Sequence, residues 1–363
     1  MAIRRNACLV TSAALTRFSS SHSPHQPPAR GREHYRERFD LGWDAWREQT
    51  FGRQRSAGLF PGSTVLSRRP DWVPAWDLLS EWDQAVAARF MECFAGFLSH
   101  ADEQIGRVID FLAELGERDN TIIVVVSDNG ASAEGGAAGS INDVRLTNLD
   151  PASGEEMFAR LAEIGGPLTH NNYPWGWTMA GNTPFRRWKR EVNEGGTAGP
   201  CIISWPASAM ERGGIRRQFT HAIDIVPTLA ELLGIELPAE IEGIEQTALD
   251  GESFAGLLPK AGESAPALHE TQYFEMFGSR AIYHKGWKAV AFHPVGRSTT
   301  TRIRMRRSTR MPGSSTTSRR ISRSHETSRR TIRISSASSS SSGGTRPGGT
   351  RFSRSTIECS GPR

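Results

Sequence analysis

Four short stretches of the chain carry side chains suited to chemistry. Ser127-Asp128-Asn129-Gly130 places a carboxylate and an amide at the end of an apolar run, the position at which open α/β sheets bind ligands. Gly130 lets the backbone turn sharply there. The hard oxygens of Asp128 and Asn129 suit Ca2+ or Mg2+ rather than zinc, and the competing reading is a plain turn, for which Asp-Asn-Gly is well made. Residues 22–28, HSPHQPP, hold His22 and His25 among prolines that fix the backbone. A histidine near a metal serves as acid, base or donor to an anionic substrate; the alternative is an exposed proline-rich loop. Trp188-Lys189-Arg190, followed by Asn193-Glu194-Gly195-Gly196, sets a lysine ahead of a tight glycine turn, where its ammonium could meet an oxyanion. Arg186 and Arg187 read as a solvated basic face. His221-x-x-Asp224-x-x-Pro227-Thr228 opens a helix, with Asp224 as its expected cap.

The elements that must position these residues are legible in outline. Tyr35, Phe39, Trp43, Trp46 and Phe51 recur at roughly helical spacing over 33–56, a face to be buried. Residues 80–116 form a long amphipathic helix with Val86, Phe90, Phe94, Phe97, Ile105, Val108, Ile109, Phe111 and Leu112 on its apolar side. TIIVVV (121–126) then describes a strand covered on both faces, as in a parallel sheet, and GPCIISWP (199–206) a second buried strand. Between them lie a Gly/Ala/Ser loop, a helix near 154–164 and an Asn/Trp/Gly loop at 170–183. Ala222–Leu233 is an amphipathic helix stopped by Gly234 in a left-handed cap. Alternating residues over 273–292 predict a short antiparallel hairpin. Helix and strand alternate, so the class is α/β.

Composition narrows the function classes. The chain has 363 residues, 37% hydrophobic and 23% charged, with net charge +5. It contains no run of about 18 apolar residues, so no membrane-spanning helix is expected. Cys8, Cys93, Cys201 and Cys359 are scattered and form no CxxC pair, which excludes a disulfide framework and a zinc knuckle. The charge is unevenly placed. Residues 297–363 hold 16 Arg, no Lys and two acids, a net +14, which leaves −9 on residues 1–296. The basic character therefore belongs to the tail, whose Arg/Ser/Thr/Gly composition predicts disorder. That tail could attract nucleic acid electrostatically, but Phe352 is its one aromatic residue, which disfavours base stacking. Residues 1–21 carry Arg4 and Arg5 before an interrupted apolar stretch without an A-x-A site; this is not a convincing signal peptide, and a cytoplasmic location is expected rather than a periplasmic or secreted one.

Taken in order, the histidine–proline loop, the strand ending in SDNG, K-x-x-x-x-E-G-G before an apolar strand closing on proline, and D-x-x-P-T resemble the sulfatases of the alkaline phosphatase superfamily, in particular bacterial arylsulfatases. TIIVVVSDNG, PFRRWKREVNEGG and HAIDIVPTLAELLGI carry the likeness, which runs from about Ser20 to about Val295. The resemblance implies an alkaline-phosphatase-like three-layer α/β sandwich, here partial, in which Asp128 and Asn129 help coordinate Ca2+ and Lys189 contacts the sulfate of a small-molecule sulfate ester. It assigns His22 the same contact in preference to His25, because His22 has Pro24 two residues on and Pro28 six residues on. A divalent cation with Lys and His donors would stabilise the negative charge that develops on the leaving oxygen.

The departures from that pattern are as informative. Sulfatases convert the Cys or Ser of C/S-x-P-x-R to a formylglycine nucleophile, and no proline in residues 1–363 has that neighbourhood. The paired aspartates completing the calcium site, and the partner Arg, Lys and His, are missing too; in the family they precede the matched region. The reading is thus a sulfuric ester hydrolase by family, with 1–19 a ragged start, 20–264 the later part of the α/β domain, 265–296 the beginning of a small C-terminal subdomain and 297–363 a tail with the composition of a frameshifted segment. The chain as written is expected not to turn over. A phosphonate or phosphate monoester hydrolase of the same superfamily, or a non-catalytic product with a nucleic-acid-binding tail, is the alternative. Oligomeric state is not legible.

Overall fold

Of the aromatic residues of 33–56, Phe39 and Trp43 are buried and Tyr35, Trp46 and Phe51 half-buried, but one helix does not carry them all: Tyr35 and Phe39 lie in the turn between two helices and the other three on the second. In the computed structural model, which describes residues 22–208, 210–259 and 265–292 and the backbone of 302–307, 329–332 and 357–360, α1 (Ala29–His34) ends before a turn and α2 (Gly42–Ser56) begins at Gly42. Gly42 has φ +75°, and a Cβ on it would sit 2.1 Å from the Trp76 ring, so only glycine admits the close approach of that indole. Helix α3 (Glu81–Glu114) starts at Ser80, whose hydroxyl accepts the Asp83 N–H at 3.1 Å, an N-cap worth about 1 kcal/mol.

The core is built on these helices and on α6 (Trp175–Gly181). Trp43 meets Trp76 edge-to-face with centroids 4.9 Å apart and Trp177 at 5.9 Å. Both deep indoles satisfy their N–H groups, Trp43 on Pro74 O at 3.2 Å and Trp177 on Ala87 O at 2.8 Å, as buried indoles must. Val86, Phe90 and Cys93 of α3 are in this core, whereas Val108 and Phe111 near its C-terminal end are 46% and 57% exposed. Burial pushes the Cys93 thiol up to about 12, so it packs as a small apolar group.

The two central strands depart from expectation. β1 (Ile123–Val126) pairs antiparallel with β2 (Cys201–Ser204), Val124 opposite Ile203, not parallel as the continuous apolar run suggests. Neither strand is covered on both faces: Val125, Val126 and Ile202 are exposed, and among the described residues no further strand joins this pair. A β-branched run encodes burial and extended backbone, but not the direction of its partner.

Short helices α4 (Asp143–Thr147), α5 (Gly154–Ala159) and α7 (Glu194–Thr197) punctuate the connection between the strands. α8 (Ile225–Leu233) ends as expected on Gly234, left-handed at φ +64°. A small β3–β4 ribbon (Glu240–Ile241, Ile244–Glu245) follows. The expected hairpin is a larger meander: β5 (Thr271–Met276), β6 (Ser279–His284) and β7 (Trp287–Phe292) are joined in sequence. Buried Lys288 of β7 ties this meander to α7, its ammonium 3.0 Å from Glu194 and 2.8 Å from the Thr197 hydroxyl. The class is α/β, as read from sequence.

The chain divides into two units, Met1–Gly313 and Ser314–Arg363. In the first, β8 (Arg302–Arg307) adds to β7; in the second, β9 (Arg329–Ile332) pairs with β10 (Ile357–Ser360). The remainder of the arginine-rich tail, like the ragged start at 1–19, lies outside the described residues. Among the described residues no helix is long and apolar enough to cross a membrane.

Candidate functional site

Three backbones meet at glycines to form the site. A Cβ on Gly130 would lie 1.6 Å from the Gly195 carbonyl oxygen, one on Gly195 would lie 1.9 Å from the Arg187 oxygen, and one on Gly199 would lie 2.4 Å from the Ser127 oxygen. The Ser127-Asp128-Asn129-Gly130 turn and the Lys189–Gly196 loop therefore touch main chain to main chain, which only glycine permits. The Lys189 N–H donates to Ala131 O at 3.0 Å, setting the lysine two residues from the end of the Asp-Asn turn. Arg187 and Arg190, which flank Trp188-Lys189, both adopt left-handed backbone at φ +64° and +70°. Such conformations in side-chain-bearing residues persist where surrounding structure enforces them.

The segment after the turn is stapled from α6 and its C-terminal end. Asn182 accepts the Ala131 N–H at 2.9 Å and donates to Thr178 O at 2.9 Å. The Thr178 hydroxyl donates to Ser132 O at 2.7 Å, and the Trp175 indole to Ala133 O at 3.0 Å. Consecutive positions are thus held by groups of α6 and its C-cap, a helix that the sequence, read as an Asn/Trp/Gly loop over 170–183, does not announce.

Charge is concentrated at Glu134. Its carboxylate lies 3.2 Å from the Lys189 ammonium and 3.6 Å from the Arg190 guanidinium, so two cations share one carboxylate and the trio keeps a net positive charge. Burial alone would raise the Glu134 pKa, but hydrogen bonds from Ser132 and Lys189 and the charges of Lys189 and Arg190 outweigh it and hold the carboxyl below its usual range. A depressed carboxyl stabilises the fold above its unfolded-state pKa and loses that contribution as pH falls through the folded value. Wild type and Glu134→Gln should therefore differ in stability by a constant amount near neutral pH and converge in acid, below the usual carboxylate range. Urea denaturation across a pH series checks this, and a difference that grows on acidification would contradict it.

His22 is exposed, and its Nδ1 donates to the Ser23 carbonyl at 2.8 Å, leaving Nε2 to face solvent. The Ser23 hydroxyl donates to Asp143 at 3.2 Å, and the His170 ring lies 3.4 Å from the same carboxylate. Burial raises the Asp143 carboxyl above its usual range; His170, the Ser23 hydroxyl and His22 oppose that, while Glu134 reinforces it. Asp143 thus feels both the His22 end and the Glu134–Lys189 end of one polar patch. His25 is elsewhere: fully buried, its ring stacks on Tyr173 at 5.0 Å and meets the edge of Phe94 at 5.1 Å.

The remaining sequence candidates are placed as follows. Asp128 is exposed and Asn129 half-buried, with the Ser127 hydroxyl donating to Asn129 O at 2.9 Å. Their oxygens fit a hard cation in type but not in number: Ca2+ takes roughly six to eight, and among the described residues no group of three or more His, Cys, Asp or Glu gathers to hold a metal. Asp224 does not cap α8 with its own side chain. It completes a capping box with His221 by accepting the His221 N–H at 2.6 Å. Glu134, Asp143, His170 and Asn182 escape sequence reasoning, and of these only Glu134, four residues after Gly130, has a positional signal.

The sulfatase family model matches residues 16–235. A sulfatase of Schizosaccharomyces pombe is 30% identical over 281 residues, covering 75% of this chain and 48% of its own. The arylsulfatase of Klebsiella aerogenes is 23% identical over 220 residues, covering 60% of this chain and 45% of its own. Among solved structures, BT4656 in complex with its substrate D-glucosamine-2-N,6-O-disulfate is similar with a TM-score of 0.39 and 19% identity, over 64% of this chain and 36% of that one. The chain spans about half the length of these two curated relatives.

Proposed function

We propose, from the premise that this chain belongs to the sulfatase family, that it is the sulfate-holding part of a sulfuric ester hydrolase of the arylsulfatase type. What supports this reading is the glycine contact of Gly130 on Gly195 with the Lys189–Ala131 hydrogen bond beside it, which brings the main chain of Lys189 close to the Asp128-Asn129 turn. In this reading Lys189 binds and orients the sulfate, and His22 makes a second contact with the same anion. Asp128 and Asn129 would supply two of the ligands of a divalent cation, Ca2+ by family, which would stabilise charge on the ester oxygen; further donors would be needed to fill its coordination shell. C/S-x-P-x-R does not occur in residues 1–363, and the role proposed for these residues is binding of the ester.

The test is titration of the full chain with inorganic sulfate by calorimetry. Loss of a charge-assisted contact of about 1.5–3 kcal/mol means that Lys189→Gln should weaken binding about tenfold or more, with the fold intact by circular dichroism. Unchanged affinity in Lys189→Gln would remove Lys189 from the site. Methylphosphonate binding more tightly than sulfate would instead favour a phosphonate or phosphate ester as the substrate.

A further inference from the structure

A cleft of about 290 Å³ opens beside Lys189, walled by Trp175, Trp188, Met276, Phe277 and Phe292. Trp175 and Trp188 lie nearly parallel, 18° apart with centroids at 6.4 Å. Trp175 is pinned through its indole to Ala133, and Trp188 is buried. The opposite wall is the tip of the β5–β6 hairpin, Phe277-Gly278, held near the Lys189 loop by the Lys288 bridge.

That tip is locally unfavourable. Phe277 and Gly278 have φ +50° and +79°, the paired left-handed conformation of a tight two-residue turn, which selects Asn-Gly or Asp-Gly. An aromatic residue at the first position is strained, and burial does not offset this, since Phe277 is 56% exposed. What Phe277 gains is its place: its ring covers the Arg190 guanidinium at 4.7 Å and closes the outer side of the cleft. The cleft thus has a cationic corner, where Lys189 and Arg190 share Glu134, next to flat apolar walls. A molecule that fits both carries an anionic head on a flat apolar body.

We infer that Phe277 is a specificity-determining residue, the outer wall of a subsite that takes the alcohol portion of the sulfate ester and selects an aromatic alcohol over an aliphatic one. This rests on the sulfate-holding reading above. In the productive arrangement the sulfate lies against Lys189, and the aryl ring extends between the tryptophan pair and Phe277. Because the wall belongs to the hairpin and not to the Lys189 loop, altering it leaves Lys189 and its Glu134 partner in place and removes only the ring that covers Arg190.

The experiment measures calorimetric affinities of the full chain for inorganic sulfate, phenyl sulfate, methyl sulfate and glucose 6-sulfate, in wild type and in Phe277→Asn. Asparagine is the residue this turn prefers, so the variant should melt no lower than wild type. The inference expects phenyl sulfate to bind about tenfold more tightly than methyl sulfate in wild type, from aromatic contact. In Phe277→Asn that gap should shrink to about threefold or less, while inorganic sulfate binds unchanged. Persistence of the full gap in the variant, or equal binding of phenyl sulfate and glucose 6-sulfate by wild type, overturns the subsite with the sulfate-holding reading intact. Failure of wild type to bind any of the four ligands overturns that reading and the subsite with it.

Discussion

Replacing Gly130 with alanine is expected to destabilise the fold by about 3 kcal/mol, the upper end of overpacking in a filled site, and to weaken sulfate binding with it. The added carbon would sit 1.6 Å from the Gly195 oxygen and 2.6 Å from Asn182 Oδ1. Neither neighbour is a loose side-chain end. Gly195 is itself pressed on the Arg187 carbonyl, and Asn182 is committed to Ala131 and Thr178. Relief must therefore come from separating the Asp128-Asn129 turn from the Lys189 loop, which is the arrangement the site depends on. Gly52, inside α2 and with open space for 4 Å around the place a Cβ would take, is the control: Gly52→Ala should be stabilising by about 0.5–1 kcal/mol. Urea midpoints of the two variants, read with sulfate titrations, decide the matter. A Gly130→Ala protein within about 0.5 kcal/mol of wild type, the ordinary range of a surface substitution, would show that the two loops are not in obligatory contact.

The motifs are legible because they are local, and the contacts that give them meaning are not. SDNG announces a turn, and Gly234 announces a helix end whose left-handed backbone few residue types adopt, whereas EGG, which reads as a tight turn, opens the short helix α7. Nothing in either glycine motif states that Gly130 rests on Gly195, 65 positions away. The same limit explains the strand error. The run at 121–126 shows an extended apolar segment, yet direction and coverage depend on which strands lie beside it. At the hairpin tip the sequence misleads: Phe277-Gly278 lacks the asparagine or aspartate that marks a tight turn, so the alternating pattern reads as one hairpin without locating its corner. Glu134 has only its place four residues after Gly130 to mark it, and Asp143, at the start of α4, has no period or motif to distinguish it.

Asp224 shows how far one long-range residue can bind a fold together, and its removal should have the larger effect on stability. The carboxylate is fully buried. One oxygen accepts the His221 N–H at 2.6 Å; the other accepts the Glu252 N–H at 3.0 Å and the His269 Nε2–H at 2.7 Å. These partners come from the turn that leads into α8, from a loop 28 residues later and from a segment 45 residues later. The Thr228 hydroxyl extends the network, donating to the Asp224 carbonyl and accepting the Phe254 N–H. Asp224→Ala leaves two main-chain amides and an imidazole without an acceptor, at about 1–3 kcal/mol for each unsatisfied group, so a loss of about 3–5 kcal/mol is expected, as for breaking a buried pair. Asp224→Asn keeps one acceptor oxygen but turns donors toward donors on the other side, and should fall between. His269→Ala, which leaves the two backbone bonds in place, should cost less than Asp224→Ala, and the double variant should cost little more than Asp224→Ala alone, since the two residues share one interaction. Urea unfolding of the four proteins completes the cycle. Additive losses would mean that His269 and Asp224 act independently, and that the meander is held to α8 by other contacts.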